Sequence, residues 1–320
     1  MKAAVNLKYG SPDVISIKEI PKPIPKDNEV LIKIHSTSVN RTDCGFRAAE
    51  YFITRLIFGL FKPKKQILGT ELAGTIEAIG KKVTTFKIGD EVFGLNTFQF
   101  GTHAEYVCVK EKKAIVLKPR SISFQEAGAV SDGAFLAYAN IKKIDFSTKP
   151  HILVNGATGA IGTATVQLAK YFGAEVTAVC NTKNIELIKS LGADHIYDYL
   201  TEDFTKSDTK YDFVLDVVGK SSIFKCKKIL KPKGIYISSE LGYLSQNIFL
   251  ALLKPIMFGK KVLFPIPIDT KKDIQFFGEL IEKGQYKVVI DRVYTLDQII
   301  EATKYVETGE KTGNVVISVI

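Results

Sequence analysis

The stretch His151-Ile152-Leu153-Val154-Asn155-Gly156-Ala157-Thr158-Gly159-Ala160-Ile161-Gly162 constrains the fold more than any other. A short apolar run enters a loop with glycine at every third position, and Thr163 to Lys170 continues it as a helix. Strand, glycine turn and helix start, in that order, make a cradle for a diphosphate. Glycine lets the backbone come close to the phosphates, and the first helical turn offers unpaired N–H groups. The expectation is dinucleotide binding through Gly156, Thr158, Gly159, Ala160, Ile161 and Gly162.

The surroundings supply the context such a motif needs. From His151 onward the chain alternates strand and helix: Ile152-Leu153-Val154, a helix from Gly162 to Phe172, then the strand Glu175 to Cys180. A helix from Asn184 to Leu191 and strands at Tyr211 to Val218 and Gly234 to Ser238 continue the rhythm. This predicts an α/β fold with a doubly wound parallel sheet. Before it, residues up to about Pro119 carry short strand patterns (Val30 to His35, Leu72 to Gly80, Ile88 to Gly94) between Gly and Pro turns, which suggests a small β-barrel. Ser123 to Asn140 is alanine-rich and helical in pattern, and the tail returns to strands at Val288 to Tyr294 and Asn314 to Val319. The expected division is 1–120 for the β-rich domain, 121–284 for the nucleotide-binding domain and 285–320 for a return to the first.

A chain of 320 residues can bury one large or two ordinary cores. No run of eighteen apolar residues suggests a membrane span, and the start carries no signal-peptide pattern. Cys44, Cys108, Cys180 and Cys226 lie far apart in sequence and suit free thiols in a reducing compartment, so a cytoplasmic location is expected. The net charge of +10 raises the question of nucleic acid. The densest lysine groups (Lys62, Lys64, Lys65 and Lys225, Lys227, Lys228) are not interleaved with stacking aromatics, so no nucleic-acid partner is expected.

The end of the second strand of the α/β part bears on which dinucleotide is held. A carboxylate there suits the ribose hydroxyls of NAD. This chain has Cys180-Asn181-Thr182-Lys183-Asn184 instead. Asn181 and Thr182 can donate hydrogen bonds and Lys183 supplies positive charge, a pattern that favours NADPH. Tyr199 is a candidate cover for the adenosine phosphate, or ordinary strand-end packing.

With these residues in hand, the chain resembles the medium-chain dehydrogenase/reductase superfamily, in its zinc-free quinone-oxidoreductase-like branch. The landmarks are Val39-Asn40-Arg41-Thr42-Asp43, Gly69-Thr70-Glu71-Leu72-Ala73-Gly74, Gly89 to Gly94, the glycine loop, Leu191-Gly192-Ala193-Asp194, Asp216-Val217-Val218-Gly219 and Gly313-Asn314-Val315-Val316. They cover nearly the whole chain. The resemblance implies a GroES-like barrel domain plus a Rossmann domain, an active site in the cleft between them, Val218 and Gly219 beside the cofactor, and a homodimer. It places Asn40 and Thr70 where zinc-dependent members carry Cys and His, and neither is a good zinc ligand. The segment after Gly94 lacks the four clustered cysteines of the structural zinc lobe, and His35, His103, His151 and His195 stand isolated in the sequence. No metal is therefore expected.

The chemistry implied is hydride transfer to a quinone or to the β-carbon of an α,β-unsaturated carbonyl. Asn40 is the first candidate for stabilising the developing oxyanion, or it positions the nicotinamide carboxamide, or closes a turn. Asp43 holds Asn40 or a ribose hydroxyl, or caps a helix. Tyr51 is a candidate proton donor or apolar lining. A 2-enoyl-thioester reductase and a catalytically idle NADPH-binding protein are the competing readings. Two apolar segments with basic neighbours, 51–65 and 244–264, remain open between core or subunit contact, a greasy substrate mouth and shallow peripheral membrane contact.

Overall fold

The structure is a computed structural model and describes residues 1–50, 52–97, 99–240, 246–252 and 260–320. In chain order the first part contains β1 (Lys2–Asn6), β2 (Ile15–Glu19), β3 (Glu29–Val39), α1 (Arg41–Ala48), α2 (Phe52–Phe58), β4 (Glu71–Ile79), β5 (Glu91–Leu95), β6 (Tyr106–Lys110), β7 (Ile115–Leu117) and α3 (Phe124–Ala127). The α/β part follows with α4 (Ser131–Ile141), β8 (His151–Asn155), α5 (Ala160–Tyr171), β9 (Glu175–Cys180), α6 (Ile185–Ser190), β10 (His195–Asp198), β11 (Tyr211–Asp216), α7 (Ile223–Cys226), β12 (Leu230–Ser238), α8 (Gln246–Leu252) and β13 (Lys261–Leu263). The chain closes with α9 (Lys271–Glu282), β14 (Ile290–Thr295), α10 (Ile299–Thr308) and β15 (Asn314–Ser318).

Two compact units emerge. One holds residues 1–132, 269–284 and 288–320, and the other 133–268 with 285–287. Residues 121–132 and 269–284, which the sequence rhythm groups with the α/β part, pack with the first unit: α3 lies on β3 and β4, and α9 on β7. Residues 285–287 go with the second because Gln167 brackets Lys287, donating to its carbonyl (3.0 Å) and accepting from its N–H (2.7 Å).

The first unit is built on a sheet of order β14-β15-β3-β4-β5-β7, with β6 also paired to β3 and β1 paired to β2. β3 is long enough to pair with β15 at one end and β6 at the other, and β4 runs along it. Its alternating residues Val30, Ile32 and Ile34 join Leu72, Ile76, Val92, Val107, Val109 and Ile115 in one core. Each such aliphatic side chain, once buried, contributes about 1.5–3 kcal/mol.

In the second unit all six strands are parallel, in the order β10-β9-β8-β11-β12-β13. Numbered within the unit that is 3-2-1-4-5-6, so the order reverses between β8 and β11, the point in a doubly wound sheet at which ligands bind outside the carboxyl ends of the strands. Leu153, Val179, Val214, Tyr211 and Tyr236 pack in one core with Ile223, Cys226 and Ile229.

The helix expected over Ser123 to Asn140 is two helices, α3 and α4, broken at residues 128–130. A Cβ on Gly128 would meet Ser36 Oγ at 2.7 Å and the Ser36 backbone at 2.9 Å, so contact with β3 turns the chain there. Among the described residues, no helix is long and apolar enough to cross a membrane.

Candidate active site

The glycine loop leaves the carboxyl end of β8, at the point of strand reversal. Its three glycines do three different things. Gly156 takes φ +87°, a left-handed turn that brings the chain off the strand, and a Cβ there would meet Val218 at 2.6 Å. Gly159 has ordinary dihedrals (φ −74°, ψ 176°) and nothing within 4 Å of where a Cβ would stand. Gly162 presses α5 onto the turn, since a Cβ would lie 2.1 Å from the Gly156 carbonyl oxygen. Tight turn, open approach and close helix packing are the three requirements of a diphosphate cradle. Gly159 is the N-cap of α5 and brings no side-chain cap, so the N–H groups of the first turn point to where an anion would sit. Thr158, Ala160 and Ile161 flank it, each half-buried.

Val218 and Gly219 follow β11, the neighbour of β8 across the reversal. They are held by Asp216, a fully buried carboxylate that the sequence reading did not single out as a site residue. Asp216 Oδ1 accepts from Asn155 Nδ2 (3.0 Å), the Gly219 N–H (3.0 Å) and the Val218 N–H (3.4 Å). Oδ2 accepts from the Ser221 N–H (3.0 Å) and the Tyr236 hydroxyl (2.7 Å). One side chain thus ties together the ends of β8, β11 and β12.

At the end of β9, Asn181 Oδ1 accepts from Asn184 Nδ2 (2.7 Å), and Tyr199, largely exposed, returns to this edge with its N–H on the Cys180 carbonyl (3.0 Å). Thr182 donates its hydroxyl to Asp198. Asp198 is a carboxylate beside this edge that the local sequence 180–184 does not show. Its other oxygen accepts from the Leu200 N–H (3.0 Å). Lys183 is exposed and forms no ion pair with any described residue.

The candidate catalytic residues lie in the first unit. Asn40 ends β3 and caps α1 in a reciprocal box: its Oδ1 accepts from the Asp43 N–H (2.9 Å), and Asp43 Oδ2 accepts from the Asn40 N–H (3.3 Å). Asp43 Oδ1 also accepts from the Gly69 N–H (3.0 Å). The box fixes the Asn40 amide, so Nδ2 faces Thr70 and donates to its hydroxyl (2.8 Å). Thr70 donates onward to Asp132 Oδ1 (3.4 Å), and the Asp132 N–H donates to Glu71 Oε2 (3.0 Å). Ser38 donates to the other oxygen of Glu71. Thr70, Glu71 and Asp132 were not among the candidate site residues; the adjacent pair Thr70 and Glu71 meets Asn40 and Asp132, both distant in sequence, only through the fold. Tyr51 lies outside the described residues.

This cluster is buried, and burial sets its electrostatics. Burial raises Glu71 and Asp132 well above ordinary carboxylates; the charge of Asp132 and then that of Asp43 add to the effect at Glu71, and that of Asp43 adds to it at Asp132. Burial pushes the Lys311 ammonium down to about 8, opposed by Asp132, Asp291 and Glu71. His103 is lowered to about 4 by burial, against the pull of the Ser38 carbonyl, which its Nε2 meets at 2.8 Å. Neutral His103 thus fits beside Asp43, with 3.7 Å between Nε2 and Oδ2.

Asp43 itself is pushed by burial up to about 7, although the N–H groups of Asn40 and Gly69 pull the other way. An acid whose folded value exceeds its unfolded value of 3.8 binds its proton more tightly in the fold. Its stabilising contribution is complete below the unfolded value and is lost as pH rises to about 7. The stability difference between wild type and Asp43→Asn, followed by chemical unfolding from pH 4 to 7.5, is therefore expected to tilt against the wild type by on the order of 1 kcal/mol per pH unit. Parallel pH profiles would show that Asp43 ionises as an exposed acid does.

These donors do not fit zinc. Asn40 and Thr70 offer an amide and a hydroxyl already hydrogen-bonded to each other, where zinc needs imidazole, thiolate or carboxylate. Among the described residues, no three His, Cys, Asp or Glu side chains stand together so as to hold a metal ion.

Known proteins resemble this chain along nearly its whole length. A family model described as alcohol dehydrogenase GroES-like domain matches residues 26–120, and one described as zinc-binding dehydrogenase matches residues 191–317. The chain is 34% identical to a 2-methylene-furan-3-one reductase of Solanum lycopersicum, over 99% of this chain and 79% of the relative. It is 31% identical to a chloroplastic NADPH-dependent alkenal/one oxidoreductase of Arabidopsis thaliana, with the same coverage of each. The solved quinone oxidoreductase of Coxiella burnetii superposes with a TM-score of 0.90 at 25% identity, over 100% of this chain and 99% of that one.

Proposed function

The chain belongs to the medium-chain dehydrogenase/reductase superfamily, in its quinone-oxidoreductase branch, and on that footing we propose that it is a zinc-independent, NADPH-dependent reductase of quinones or α,β-unsaturated carbonyls. The carrying observation is the glycine loop at the strand reversal, where Gly159 leaves open the space a diphosphate needs.

When bound, the cofactor supplies a hydride, and the protein supplies position and charge. The first turn of α5 receives the diphosphate, Val218 and Gly219 border it, and Asn181, Thr182, Lys183 and Tyr199 lie toward the adenosine ribose and its phosphate. Asn40 then acts on the acceptor. An amide nitrogen carries two hydrogens, and Thr70 takes one. The second meets the oxygen on which charge develops as the β-carbon accepts hydride. Asp43 is a positioning residue: through the capping box it prevents the amide from flipping its carbonyl toward that oxygen. The substrate is a small, apolar quinone or enone. The protein works as a homodimer in the cytoplasm, a location that the four free thiols suit.

An acceptor panel tests the activity directly. NADPH oxidation should appear with a quinone or a short enone and be weaker with crotonyl thioesters. Tight NADPH binding without turnover on any acceptor would refute the reductase reading. In the cofactor site, Lys183→Glu is expected to weaken NADPH about tenfold or more and leave NADH nearly unchanged, because only the former brings a ribose phosphate to that charge. An unaltered preference would remove Lys183 from the site.

A further inference from the structure

The stretch from α2 to Lys65 forms a lobe that is firmly seated at its base and apolar at its tip. At the base, the Phe58 ring meets Phe46 edge-on at 4.8 Å and Phe100 at 5.8 Å. Pro63 is buried, the Tyr9 hydroxyl donates to the Gly59 carbonyl (2.8 Å), and the Lys64 N–H donates to the Phe58 carbonyl (2.7 Å). At the tip, Leu56, Ile57 and Leu60 are about half exposed or more, and Phe61 is 88% exposed. Four large apolar side chains held out by a packed aromatic base are costly in water, so the patch calls for an occupant.

Charge says which occupant. Residues 51–70 contain Arg55, Lys62, Lys64 and Lys65 and no Asp or Glu. Lys62 and Lys64 are exposed, and no described residue forms an ion pair with any of the four. A second copy of the chain is disfavoured, because a two-fold contact sets the same basic rim against itself. An anionic lipid surface satisfies both features: acyl chains and glycerol backbones take the apolar tip, and phosphates take the ammonium groups. We propose that the end of α2 and the segment after it, Leu56–Phe61, dock the protein peripherally on anionic membranes, with Leu56, Ile57, Leu60 and Phe61 entering the interface and Lys62 and Lys64 lying among the headgroups. The docking stands apart from the redox reading and holds whatever the acceptor is.

The chain has no Trp, so Phe61→Trp gives a single fluorescent reporter at the tip of the full-length protein. With phosphatidylcholine vesicles carrying about 30 mol% phosphatidylglycerol, its emission should shift to the blue and the protein should sediment with the lipid. Pure phosphatidylcholine vesicles, or about 0.5 M salt, should weaken the partitioning tenfold or more. Phe61→Asp and the pair Lys62→Glu with Lys64→Glu should each lose it to a similar degree, and all variants should turn over a soluble acceptor at the wild-type rate. Absence of both shift and sedimentation overturns the proposal. Self-association abolished by Phe61→Asp without lipid binding reassigns the patch to a second copy. A fall in kcat/KM for a soluble acceptor in Phe61→Asp reassigns it to substrate entry.

Discussion

Gly159→Asp is expected to weaken NADPH binding by more than 100-fold while the melting temperature stays level or rises by about 1–2 °C. The two effects have separate causes. Gly159 is the N-cap of α5 with extended dihedrals that aspartate adopts freely, and the space around its missing Cβ is open. An aspartate there accepts from the N–H groups of the first turn and its charge suits the helix dipole, which stabilises α5 by a few tenths to 1 kcal/mol. The same carboxylate occupies the place of the diphosphate and repels it, and 100-fold in affinity corresponds to about 2.7 kcal/mol. Gly162→Ala makes the contrast, because its Cβ would strike the Gly156 carbonyl oxygen at 2.1 Å. That variant should lose stability and affinity together. Calorimetric titration with NADPH and a thermal melt on each variant suffice. A stable Gly159→Asp protein that binds NADPH normally would move the cofactor away from this loop.

Asn40→Ser is expected to lower kcat/KM about 100-fold, the usual cost of removing one donor from a developing oxyanion, with NADPH affinity unchanged. Serine is chosen because it keeps the cap of α1, so the helix and the Asp43 carboxylate stay in place. Alanine would confound the result, since it costs about 1 kcal/mol in capping alone. If the serine variant turns over at the wild-type rate, Asn40 only closes a helix, and the oxyanion finds its donor elsewhere.

What could be read from the chain and what could not divide along a physical line. β8, β9 and β11 were visible because strands buried on both faces are written as unbroken apolar runs, as in Ile152-Leu153-Val154 and Phe213-Val214-Leu215. The glycine loop was visible because its requirements are local: each glycine answers to atoms within a few residues or to the one neighbouring strand end. The break between α3 and α4 was not visible, because it comes from Ser36, far back in the chain. The same holds around Asn40. Its cap by Asp43 is a local pattern, but Thr70, Glu71 and Asp132 reach it through β4 and the start of α4, and the low charge tolerance of that cluster comes first from burial and then from neighbouring carboxylates, neither of which shows in the local sequence. Asp198 was hidden for a related reason, since β10 lies beside β9 only in the folded sheet.

Five donors converge on the two oxygens of Asp216 and hold in register the strand ends and turns of β8, β11 and β12, where the nucleotide is proposed to bind. The disorder those turns would otherwise have is removed once, when the polypeptide collapses, rather than each time a nucleotide arrives. A reductase exchanges its cofactor at every cycle, so a socket that keeps its shape while empty lets loading and unloading proceed without refolding the rim.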